Sequence, residues 1–67
     1  MQKITLHYAT GDKEYKVGDL LDSNHELISF KYNYNTEMVE FNTKKLSDDT
    51  IHINYLIVKY VPFSIIG

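Results

Sequence analysis

The chain has 67 residues, 43% hydrophobic and 24% charged, with three Gly, one Pro and no Cys, which bounds it to one domain and excludes disulfides and thiolate zinc sites. Its net charge is −2 and all seven basic residues are Lys; this argues against duplex DNA, which is read through Arg forks and dense positive charge. A domain of this size buries only about 60% of its unfolded surface, so regular strand pairing or self-association is expected to support it.

From Lys3 to Tyr8, Ile4, Leu6 and Tyr8 alternate with Lys3, Thr5 and His7, the period of a half-buried strand. Ala9-Thr10-Gly11-Asp12 reads as a turn, and Tyr15 and Val17 resume the alternation. Residues 3–17 are therefore predicted to be one β-hairpin. A turn-rich connector runs from Gly18 to Asn24. Within it the Ser23-x-x-Glu26 spacing matches a capping box that would start a helix at Asn24. The alternation of Ile28, Phe30, Tyr32 and Tyr34 with Ser29, Lys31 and Asn33 favours a strand instead.

Tyr34-Asn35-Thr36 marks a second turn, after which Val39 and Phe41 alternate through Thr43, so residues 26–43 form a second predicted hairpin. Lys44 to Thr50 is a polar connector. Ile51 to Val61 carries the strongest strand signal, with Ile51, Ile53, Tyr55 and Ile57 on one face and Leu56, Val58 and Tyr60 on the other. Apolar side chains on both faces predict a central or strongly curved strand. Pro62 ends it. The apolar tail Phe63-Ser64-Ile65-Ile66-Gly67 is expected either to close a barrel or to form an interface through Phe63, Ile65 and Ile66.

These elements predict an all-β fold: a small five- or six-stranded SH3-like or Sm-like barrel built from hairpins, spanning residues 1–67 as one domain. The ending Tyr60-Val61-Pro62-Phe63-Ser64 resembles the hydrophobic-Val-Pro close of such barrels. The alternative is a β-grasp α+β fold, because Tyr15-Lys16-Val17-Gly18-Asp19-Leu20-Leu21 resembles the approach to its helix. That fold requires residues 24–34 to be helical.

Catalytic chemistry has few candidates. His7, His25 and His52 are the only imidazoles and show no metal-ligand spacing; if their strands pair, His7 and His52 would share an outer face. Asp48-Asp49 between Ser47 and Thr50 reads as turn chemistry. Gly11 and Gly18 are isolated and no serine lies in an elbow motif, so no phosphate loop or nucleophile is expected. No enzymatic activity, metal or cofactor is expected.

The most distinctive segment is the Tyr- and Asn-rich hairpin tip, where Lys31, Tyr32, Asn33, Tyr34 and Asn35 are candidate binding residues. Tyr offers rigid contact area with a polar end and Asn offers adaptable hydrogen bonds. The plainer reading lets the rings line the barrel and the Asn residues make the turn.

Asn, Ile, Lys and Tyr, all with AT-rich codons, supply 25 of the 67 residues and point to a low-GC bacterium or one of its phages or mobile elements. The functional expectation is a small non-enzymatic protein-binding module, an inhibitor or adaptor of a host factor, with Glu37, Glu40, Asp48 and Asp49 facing a basic partner. The alternative is a homo-oligomeric ligand-binding module for single-stranded RNA or a small nucleotide, with Tyr32 and Tyr34 stacking on bases while Lys31, Lys44 and Lys45 meet phosphates. The longest uninterrupted apolar run is Tyr55 to Val58, far short of a bilayer span, and no leader pattern is visible; a cytoplasmic location is expected.

Overall fold

The computed structural model describes residues 2–67, which form seven strands and no helix. β1 (Lys3–Tyr8) and β2 (Gly11–Lys16) make the first hairpin, turning tightly at Ala9-Thr10 because Gly11 adopts a φ of 133° that a side chain would oppose. β7 (Phe63–Ile66) pairs with the other side of β1, giving a three-stranded sheet in the order β2-β1-β7. β3 (Leu20–Asp22), β4 (His25–Asn33), β5 (Met38–Lys45) and β6 (Ile51–Lys59) form a second, antiparallel sheet in sequence order.

Two irregularities curl the second sheet into a half-barrel. Leu27 lies opposite Thr43 and Ser29 opposite Asn42, leaving Ile28 as an extra residue on β4. On the other flank Phe41 faces Leu56 and Thr43 faces His52, so Ile53, Asn54 and Tyr55 together answer Asn42. Asn54 takes a φ of 56°, a region Asn tolerates better than most residues. Asn42 braces both features: its Oδ1 accepts from the Asn54 backbone N–H at 2.9 Å and its Nδ2 donates to Ser29 Oγ at 3.0 Å.

The core lies between the sheets. Ile4 and Leu6 from β1 meet Leu27 and Phe30 from β4 and Val39 and Phe41 from β5, all buried. The Phe41 ring is the hub, with Tyr15 at 5.1 Å and Phe30 at 6.0 Å between centroids in tilted geometry. The alternation read along residues 3–8 and 38–43 thus corresponds to the buried faces of β1 and β5.

The β-grasp alternative and a helix start fall away, one strand changes place, and the five or six strands expected are seven. Residues 25–33 are strand and no helix occurs among the described residues, so the β-grasp alternative does not hold. The Ser23-Glu26 box is unused: Asp22 Oδ1 accepts the Asn24 N–H at 2.8 Å, making a turn that bends β3 into β4. β6 is an edge strand rather than a central one, bonded only to β5, while the bulge at Ile53–Tyr55 gives it the curvature that was the other half of that expectation. An apolar strand is buried on both faces only if a second layer covers its outer side, and among the described residues no element lies over the outer face of β6; β5 takes the central place.

Candidate functional site

The candidate hairpin tip is divided: Tyr32 and Asn33 are engaged within the fold, while Lys31, Tyr34 and Asn35 are exposed. The Tyr32 ring is half-buried, 4.8 Å from the Phe63 ring and 4.8 Å from the Tyr34 ring between centroids. Asn33 works as a turn residue: its Oδ1 accepts from the Asn35 and Thr36 backbone N–H groups at 2.9 and 3.3 Å, and its Nδ2 donates to Glu40 at 3.3 Å. Lys31 reaches Glu40 across the β4–β5 pair at 3.7 Å, although its own side chain is exposed. Asn35 is exposed, and Tyr34, 85% exposed, is the one ring of the tip that stands in solvent.

The tail divides in the same way. Phe63 packs against the core beside Tyr32, whereas Ile65 and Ile66 remain 41% and 58% exposed on an edge strand. Tail and tip therefore meet through Phe63 and Tyr32, which the sequence pattern did not anticipate because the two segments are far apart in the chain.

The histidines do not share a face as expected, because β1 and β6 belong to different sheets. His7 lies between Asp12, 3.0 Å from its Nδ1, and Ser64 Oγ, 2.9 Å from its Nε2. His52 instead meets His25, edge-on at 5.3 Å between centroids, and the His25 ring stacks on Tyr55 at 4.3 Å. Asp22 completes this cluster: it accepts the Tyr55 hydroxyl and the His25 Nδ1–H, the latter at 2.8 Å. Asp22 sits on β3 and Tyr55 on β6, so the cluster clasps the two edges of the curled sheet. The Tyr55 hydroxyl, then the Asn24 N–H and His25, hold the Asp22 carboxyl well below the usual carboxylate range, and the same hydrogen bond to Asp22 raises Tyr55. Thr43 Oγ1 and His52 Nε2, on paired residues beneath the clasp, are buried and find no hydrogen-bond partner among the described residues.

Asp48 accepts the Thr50 N–H at 3.0 Å, and Thr50, through side chain and backbone, lowers its pKa, as turn chemistry dictates. Among the described residues no three His, Asp or Glu side chains converge as metal ligands, and no helix is long and apolar enough to cross a membrane.

β6 carries exposed apolar side chains, Ile51, Ile53 and Ile57, which are 50%, 68% and 42% exposed. Tyr60 follows it, exposed and turned by a φ of 57°. Isoleucines alternating along a free strand edge present side-chain area and unpaired backbone groups together. The sequence pattern identified the row; it placed the row in a core.

No family profile, curated protein or solved structure matches this chain.

Proposed function

We propose that this protein is a non-enzymatic protein-binding module, an inhibitor or adaptor that docks through the exposed isoleucines of β6 on its half-barrel, an open variant of the SH3-like or Sm-like barrel. The observation that carries this reading is the exposed row Ile51, Ile53 and Ile57 on a strand hydrogen-bonded on one side only. Solvent-exposed apolar rows on long edge strands invite aggregation and are normally blunted by charge; here Lys59 at the strand end is the only charged residue of β6. Catalysis has less support: Asp22, His25, His52 and Tyr55 are arranged as a clasp between strand edges, and the other polar line, Asp12–His7–Ser64, runs across paired strands with its His7 and Asp12 side chains exposed to solvent.

Selection of displayed random peptides against the whole protein and against the double variant Ile53→Lys, Ile57→Lys tests this. Sequences enriched on the parent and lost on the variant are expected; no enrichment on the parent overturns the reading. The alternative, a homo-oligomer that binds RNA or a nucleotide, has the exposed Tyr34 ring and the Lys31 ammonium in its favour. It would show itself as a multimeric mass carrying absorbance at 260 nm.

A further inference from the structure

A groove of about 430 Å³ lies where the edge of β2 meets the edge strands of the half-barrel. Tyr15 of β2, Leu21 of β3 and Leu56 of β6 give it apolar walls, and its size falls within the range of ligand-binding clefts. Lys13 also lines it. Lys13 pairs with Leu6 and Tyr15 with Ile4, both buried, so the two side chains share the inward face of β2; the ammonium sits 5.4 Å from the Tyr15 ring centroid.

The acids of this groove are already engaged. Glu14 is 3.1 Å from Lys3, and Asp19 Oδ2 accepts the Lys16 backbone N–H at 2.9 Å. Among the described residues no carboxylate forms an ion pair with Lys13, so the groove sets one unpaired cation beside its apolar side chains.

The backbone of β2 is open in the same place. Lys16 directs its N–H to Asp19 Oδ2 and its C=O to the Asp19 N–H, both away from β1, whereas Val17 N–H turns to Gln2. With the two-residue period of a strand, Glu14 and Asp12 likewise turn their N–H and C=O groups to the free edge. A strand added there would bond to Glu14, and its residues on either side would face Lys13 and Tyr15.

We propose that this groove takes an extended segment of a partner protein, added as a strand on β2, that carries a carboxylate and an apolar side chain two residues apart. The carboxylate meets Lys13 and the apolar group settles on Tyr15, Leu21 and Leu56. A second copy of this chain does not fit the chemistry: β6 and β7 contain no Asp or Glu, the inward face of β2 offers only Lys13, Tyr15 and Gly11, and Asp22 of β3 is held by Tyr55 and His25. The inference rests on the protein-binding reading and names a second surface for it.

The test uses the full chain with fluorescein-labelled octapeptides centred on Val-Thr-Glu and on Glu-Thr-Val, and their counterparts with Lys in place of Glu. Polarisation is expected to show one Glu peptide binding about fivefold more tightly than its Lys counterpart. Amide shifts should map to Lys13, Glu14, Tyr15 and Leu56. Lys13→Glu, whose exposed position leaves the fold intact, should invert the preference, and Leu56→Ala should weaken both peptides.

Equal affinity for Glu and Lys peptides overturns the inference. Shifts confined to Ile51, Ile53 and Ile57 overturn it while leaving the protein-binding reading standing, and concentration-dependent shifts of β2 without peptide overturn it in favour of a second copy. Failure of every peptide at millimolar concentration also overturns it; the protein-binding reading is then decided by the display selection.

Discussion

The polar hairpin tip and the isoleucine row of β6 have fates opposite to what their residues suggest. Lys31 to Asn35 reads as a recognition loop, yet Tyr32 is packed on Phe63 and Asn33 is spent on the turn and on Glu40. Ile51, Ile53 and Ile57 read as core, yet they face solvent from a strand with one neighbour. The difference lies in the second layer. A side chain is buried by what stands opposite it, and β7 supplies that for the tip while nothing supplies it for the outer face of β6.

The largest expected effect breaks the tip. Tyr32→Ala removes a ring lodged between Tyr34 and Phe63 and is expected to cost about 2 kcal/mol in denaturant unfolding, less than a fully buried aromatic because Tyr32 is only half-buried. A loss within 0.5 kcal/mol would return Tyr32 to the candidate binding residues.

A smaller effect, of opposite sign, is expected beneath the clasp. Thr43 is fully buried and its Oγ1 has no partner among the described residues, so Thr43→Val should stabilise the protein by about 1 kcal/mol. Destabilisation would show that the hydroxyl is hydrogen-bonded in solution and that the site is wet.

How much was legible follows from the range of each signal. Alternation reports which residues share a face, so the first hairpin and the buried faces of β1 and β5 could be read directly from Ile4, Leu6, Val39 and Phe41. It does not report which face is covered. The clasp was invisible for another reason: Asp22, His25, His52 and Tyr55 come together only because the bulges at Ile28 and at Ile53–Tyr55 curl β3 toward β6, and neither bulge has a Gly to mark it. The short β3 was missed because three residues are too few to show a period.

The clasp also has a pH signature. Tyr55 is raised by its bond to Asp22, so the protonated phenol is favoured in the folded state. Its contribution is complete below the unfolded tyrosine value of about 10 and is lost as pH rises through the higher folded value. Asp22 is depressed, so its contribution is present above about pH 4 and is lost as pH falls toward its folded value. Denaturation curves of the parent are expected to decline at alkaline pH, and Tyr55→Phe should lessen that decline; an unchanged decline would mean that Tyr55 does not hold β3 to β6 in solution.

The smallest stability effect belongs to the β6 row, where its size separates surface from core. If Ile53 and Ile57 are free, the double variant Ile53→Lys, Ile57→Lys should unfold within about 0.5 kcal/mol of the parent per substitution, as surface replacements do. Light scattering should then show the parent self-associating at high concentration, through an edge that lacks charge, and the variant monomeric. A loss of several kcal/mol would mean that the isoleucines are covered in the native state by another copy, because burying a lysine in place of a packed isoleucine costs far more than exposing it. Stability and mass together thus distinguish a row that waits for a partner from one that already has it.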